Sequence, residues 1–234
     1  MEKYFNRAMM LTGDCFVADY TKDSESKRGV VISDEPFGDI AFFHLKKVTK
    51  GNVNYLAVNL EEYPAFIKGI QNCECVFNAL VEQGKSWILF LELKYCDADN
   101  IEGYVFKAYS QMRETLGKLA VMQLVDVTAK NIYFVYASPG NNDKVPFGAS
   151  VIDQNTVLQR YRAEGIQMLG VNRMLIATPQ YLFQPKVAIW WHLSLLPFIL
   201  NFELSVLWRA RRRCGGRGRG GGRGWRGGGR GGRR

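Results

Sequence analysis

Apolar residues concentrate in short runs through the middle of the chain. Residues 87–95 read Trp-Ile-Leu-Phe-Leu-Glu-Leu-Lys-Tyr, and a run this short and this apolar predicts a buried strand. Side chains alternate between the two faces of a strand. Glu92 and Lys94 therefore share one face with Ile88 and Phe90, while Leu89, Leu91, Leu93 and Tyr95 take the other. Residues 73–80, Cys-Glu-Cys-Val-Phe-Asn-Ala-Leu, predict the strand before it, and Glu82, Gln83, Gly84 and Lys85 supply a short turn between them. Two apolar runs joined by a few residues containing Gly read as a hairpin. After a polar turn at 97–100, Val105, Ala108, Met112, Thr115, Leu116 and Leu119 recur near the 3.6-residue period. They predict an amphipathic helix over 101–119, with Gln111 set among the apolar positions and facing the sheet. Residues 131–137 predict a further strand, closed by Ser138, Pro139 and Gly140. Strand, strand, helix, strand is the order of an α/β domain in which a helix crosses over a mixed sheet.

The flanks extend this core. Short strands are expected at 30–32, 40–45 and 53–60, with a turn at 49–52, either as a hairpin beside the core or as part of the same sheet. A helix is expected at 156–165 and a final strand at 174–177. His44 reads most simply as a strand residue. Residues 1–186 are the size of one domain with one core. Residues 187–208 are apolar and long enough to cross a bilayer, with Arg209 to follow. Glu203, Asn201, His192 and Pro197 weaken a membrane span, because a charge inside one is costly. A packed helix, or an extension beyond a domain that ends near Lys186, remain the other readings, and the membrane is the less favoured partner.

Charge divides the chain in two. The whole carries a formal +9, but 11 of its 31 Lys and Arg lie in residues 209–234, with no acidic residue among them. The preceding residues hold 20 basic against 22 acidic groups, a net of −2. A tract of Arg and Gly cannot bury a core and is expected to be disordered. It looks like an Arg-Gly-Gly box, which predicts RNA binding through phosphate contacts and guanidinium stacking, weakened by salt, and the other reading is a translated low-complexity or read-through stretch. The basic balance therefore says nothing about what the folded part binds. Five cysteines at irregular spacing give no disulfide framework, and no basic start followed by an apolar run marks a signal peptide, so a cytoplasmic protein is expected.

The chemistry centres on the second strand. A carboxylate and an ammonium side by side in a buried sheet are costly unless they are paired or bind something. Glu74 lies 18 positions before Glu92, and the hairpin could bring the two carboxylates together. Such a pair repels unless it is protonated or bridged by a cation. Mg²⁺ suits it, since it takes oxygen ligands and commonly only one or two protein carboxylates. Lys94 would then orient an attacking water or stabilise charge developing on a phosphate. A second Glu-x-Lys, Glu25-Ser26-Lys27, falls in a polar stretch and reads as a solvated loop. Cys73, Cys75 and Cys96 sit among apolar residues as core thiols, and their spacing does not suit zinc. There is no nucleophile elbow, no phosphate-binding Gly-rich loop before a Lys and no dinucleotide fingerprint.

These motifs resemble the PD-(D/E)xK, or restriction-endonuclease-like, nucleases. Members carry an acidic residue on one strand, Glu-x-Lys or Asp-x-Lys on the next, and a following helix that often bears a Gln. Here Cys73-Glu74-Cys75-Val76-Phe77, Phe90-Leu91-Glu92-Leu93-Lys94 and the helix segment 108–115 with Gln111 and Thr115 match the pattern of small bacterial members, over roughly residues 61–137. The resemblance implies a restriction-endonuclease-like core, a mixed sheet flanked by helices, that hydrolyses phosphodiester bonds with Mg²⁺ or Mn²⁺. Glu74 and Glu92 would ligate the metal, and Lys94 and Gln111 would complete the catalytic set. It implies nucleic acid as substrate, DNA ahead of RNA for the core, a homodimer as one assembly, and defence or DNA processing as a context. Glu74 departs from the Asp usual at its position and is one methylene longer. The family often adds an upstream Glu, for which Glu61 and Glu62 are candidates. The competing reading is a non-catalytic binding protein that keeps the nuclease fold while the tail binds RNA.

Overall fold

A computed structural model describes residues 1–21, 29–95, 101–140 and 155–185, all within one compact unit, Met1–Val187. Glu25-Ser26-Lys27, Cys96, the turn at 97–100, the apolar segment 187–208 with His192, and the Arg/Gly tail lie outside the described residues. In chain order the strands begin with β1 (Met9–Leu11), β2 (Cys15–Asp19), β3 (Val30–Ser33), β4 (Phe43–Lys47) and β5 (Tyr55–Asn59). A short helix α1 (Pro64–Ile67) precedes β6 (Cys75–Ala79) and β7 (Ser86–Leu93). The long helix α2 (Ile101–Val121) leads to β8 (Lys130–Ala137), and α3 (Thr156–Ala163) leads to β9 (Gln167–Gly170), β10 (Arg173–Ile176) and β11 (Leu182–Phe183).

Two sheets result. The larger has the order β1-β5-β6-β7-β8-β9 and the smaller β11-β10-β4-β2-β3. In the larger sheet β1, β5, β6 and β7 pair antiparallel, whereas β7, β8 and β9 pair parallel. Parallel neighbours cannot be joined by a tight turn, so α2 and α3 supply the crossovers. The α/β class with a mixed sheet is therefore present, and no helix among the described residues is long and apolar enough to cross a membrane.

Strand β7 shows how the layers form. All eight of its residues are buried. Ile88 and Phe90 pack with Val105, Ala108, Met112 and Leu116 of α2. On the other face, Trp87, Leu89, Leu91 and Leu93 pack with Val17, Phe43, Leu45 and Met174 of the smaller sheet. The strand is apolar throughout because both faces are covered, and the face assignment read from its alternation holds. The described buried apolar residues of α1, α2 and α3 all join the first cluster. Helices thus cover one face of the larger sheet and the smaller sheet covers the other, where the sequence led us to expect helices.

Several expected boundaries move. The first hairpin strand begins at Cys75 rather than residue 73. The strand expected at 40–45 begins at Phe43, and Phe42 instead packs edge-on against Phe16 with ring centroids 5.2 Å apart. The strand expected last, β10, is followed by β11. Of the N-terminal strands, β5 joins the core sheet, while β3 and β4 belong to the smaller one.

Candidate active site

The site lies where β6 starts and β7 ends. Glu74 immediately precedes β6, and the β6–β7 register, which pairs Cys75 with Leu91, carried one residue further sets Glu74 opposite Glu92. The Glu74 backbone leaves the regular ladder there. Its N–H donates to the Leu91 carbonyl at 3.1 Å, whereas its own carbonyl accepts from the Leu60 N–H at 2.9 Å. In a regular antiparallel strand both groups of a residue address the same neighbour. Addressing opposite neighbours is a local distortion of the kind that re-aims a side chain. The Glu74 carboxylate consequently lies along the sheet, and its Oε2 accepts the Leu93 N–H at 2.8 Å. That amide has no backbone partner on β6, whose ladder has already ended.

Lys94 lies one residue past β7 but is fixed. Its N–H donates to the Ala137 carbonyl at 2.9 Å, and its carbonyl accepts the Ser138 hydroxyl at 2.9 Å. Its Nζ is 2.6 Å from Glu92 Oε1 and 3.5 Å from Glu74 Oε1. The Glu92 side chain is 1% exposed and that of Lys94 29%. Glu92 Oε2 is buried and has no hydrogen-bond partner. A carboxylate oxygen left dry in this way is expensive, and it points to a ligand that would satisfy it.

The electrostatics lead to the same place. Burial raises the Glu74 carboxyl well above its usual range, and the neighbouring charge of Glu92 raises it further, with Asp19 adding to this and Lys94 opposing it. Burial also raises Glu92, with Lys94 opposing. For Lys94 burial alone would lower the ammonium, but the charges of Glu92 and Glu74 outweigh it and the net shift is upward. Two carboxylates share one ammonium, so the site favours either a bound proton or a second cation.

Gln111 does not reach the carboxylates. Its Nε2 donates to the Asn72 carbonyl at 2.9 Å, and its Oε1 is buried without a partner. Thr115, one helical turn on, accepts the Cys73 N–H at 3.0 Å and donates to the Gln111 carbonyl at 2.9 Å. Both residues of α2 thus hold the segment that delivers Glu74. Gln111 is a positioning residue. Glu61 is occupied elsewhere, its Oε2 accepting the Val30 N–H at 3.0 Å. Burial raises the thiols of Cys73 and Cys75, as befits core cysteines. His44 lies on β4 and bonds Asp14 Oδ2 at 2.9 Å, away from this site.

No family model, curated protein or solved structure matches the chain.

Two charged residues near the site escape a reading of the sequence. Asp19, at the end of β2, raises Glu74, and Lys107, on α2, favours the charged form of Glu92. Asp19 arrives from the smaller sheet, for which no local pattern exists. Lys107 could have been found from its helical spacing to Gln111. Among the described residues no group of three or more His, Cys, Asp or Glu is placed to hold a metal ion. A cation here would have Glu74 and Glu92 as its side-chain ligands and water for the remainder. That donor set, hard oxygens with many waters retained, fits Mg²⁺ and not zinc.

Proposed function

We propose that this chain is a metal-dependent nuclease of the restriction-endonuclease-like kind, with Glu74, Glu92 and Lys94 at its centre. The observation that carries the reading is the convergence of these three side chains from two strands, with Glu92 Oε2 buried and unpartnered. The order of elements adds support. An acidic residue precedes β6, Glu92 lies on β7, the following helix α2 carries Gln111, and β8 returns parallel to β7.

Glu74 and Glu92 would hold the metal, and the Leu93 N–H keeps Glu74 Oε2 oriented toward the strand end. Bound Mg²⁺ or Mn²⁺ would supply a polarised phosphoryl oxygen and a water of lowered pKa. Lys94 occupies the space between the carboxylates, and its partly exposed side chain can turn outward when a cation takes that place. Turned toward solvent it would stay an ammonium, as an exposed lysine does, and would stabilise the charge that builds on the phosphate oxygens during attack.

The test is cleavage of duplex and single-stranded DNA and RNA by the full chain, with Mg²⁺, with Mn²⁺ and with chelator, beside Lys94→Ala. Expected is cleavage that requires the metal and falls by at least about 10²–10³-fold in the variant, the loss typical of a removed charge-stabilising group. A folded wild type inactive with both metals would leave a fold used for binding without catalysis.

A further inference from the structure

A second feature lies at the other end of the same strands. Ser86 pairs with Lys130 where β7 and β8 begin, and Glu92 pairs with Tyr136 near their end. Six residues of strand separate the two, about 20 Å at the usual rise. Here a cavity of about 470 Å³ opens between the middle of α2, the start of β8 and the loop before β9. That lies within the roughly 300–1,000 Å³ of small-molecule sites.

Three cations reach the cavity from three different elements. Lys85 comes from the β6–β7 turn, Arg113 from α2 and Lys130 from the first position of β8. Glu164 also lines it and pairs with Arg113 at 2.7 Å. Arg113 also lies over the Tyr161 ring, 5.6 Å from its centroid. Lys130 is half-buried, its Nζ donating to Ser86 Oγ at 2.6 Å and to the Ala79 carbonyl at 3.3 Å. Neither acceptor carries charge. Leu116, Ile132 and Ile166 form an apolar floor. Ser86 itself is only 1% exposed, which rules against a Ser–Lys nucleophile at this place.

We propose that this cavity binds a small organic phosphate of mononucleotide size. The three terminal oxygens and the near-double charge of a phosphate monoester can meet three cations arriving from different elements, whereas a carboxylate brings two oxygens and a single charge. The apolar floor would cover the organic part. The charged groups facing Lys130 are Lys85, Arg113, Glu164 and Asp126, three cations with itself included against two carboxylates. Burial lowers Lys130 to about 8, with Asp126 opposing the shift. A bound dianion would favour its protonated form, so binding should take up a proton near that pH.

Titration calorimetry of the full chain with adenosine 5′-monophosphate, at one high salt concentration, tests the proposal. Expected is binding that weakens as pH rises through about 8. It should be weakened about tenfold by Lys85→Gln or Arg113→Gln, some 1.4 kcal/mol each. Lys130→Met should abolish the pH dependence, and inorganic phosphate should bind more weakly than the nucleotide. Lys85 is exposed, so its variant will fold. Nucleotide affinity that is unchanged in both Lys85→Gln and Arg113→Gln would overturn the proposal and assign the binding to the Arg-rich tail. Absence of binding by the wild type would overturn it as well. Neither result bears on metal-dependent cleavage, which is read separately.

Discussion

Glu92 is where stability and function oppose one another. Its carboxylate is 1% exposed and lacks a partner for one oxygen, and burial raises its pKa above the ordinary 4.5. A raised carboxyl binds more protons folded than unfolded. Its cost is therefore absent below about pH 4.5 and grows as pH climbs from there toward the folded value. Glu92→Gln removes the charge at nearly constant shape and leaves Glu74 and Lys94 as a neutral pair. We expect this variant to be inactive but at least as stable as wild type at pH 7. Its advantage in urea unfolding should shrink as pH is lowered toward 4.5. Mg²⁺ should raise the stability of wild type by mass action and leave Glu92→Gln unmoved. A variant clearly less stable than wild type at pH 7 would mean that the Glu92–Lys94 contact outweighs the buried charge.

At the scale of elements, the Thr115 hydroxyl is one of the ties between α2 and the segment that leads into β6. Thr115→Val keeps the shape but leaves the buried Cys73 N–H without an acceptor, so unfolding should become easier by about 1–3 kcal/mol. Thr115→Ser should restore most of it, as urea titrations of the two variants can show. Lys130 ties β8 to the end of β6 and the start of β7 in a similar way, but as a lowered amine. Its unfolded form binds more protons between its folded pKa of about 8 and the ordinary 10.5. This contribution rises with pH above 8, against the fall that the raised thiols of Cys73 and Cys75 cause, so the stability of wild type relative to Lys130→Met should grow as pH climbs from 8 toward 10.5. Elements whose cause is local were legible in the sequence. The buried run of β7 and the 3.6-residue stripe of α2 gave their type and their faces. The smaller sheet was not legible as a unit, because its pairings join distant segments, as where Arg173 meets His44 across 129 positions. Three-residue β1 and four-residue β9 are too short to carry a period. The Glu74–Glu92–Lys94 cluster was readable from a hairpin, whereas the diversion of Gln111 to Asn72 was not, because a helical position specifies a face and not a partner.

For the molecule as a whole, the proposed function divides the work of meeting nucleic acid between the residues before 209 and the Arg/Gly tail. Residues before 209 carry a net −2, and the carboxylates of the candidate site add local negative charge, so this part gains little from a phosphate backbone by long-range attraction. The 11 arginines of residues 209–234 supply that attraction. Binding through them should follow counterion release, with log K falling by about 0.7 per phosphate neutralised on a single strand as log salt rises. The proposed chemistry would depend instead on a cation held at short range by Glu74 and Glu92, which salt screens weakly. The two dependences can be separated by ending the chain after Lys186. We expect this shortened chain to lose most of the salt-dependent affinity in a filter or anisotropy titration. It should still cleave with Mg²⁺, at a raised KM and a kcat within a few-fold of the full chain, and Lys94→Ala should remove kcat in both. A shortened chain that is folded yet has lost kcat would place the tail in the reaction itself and overturn the division of roles.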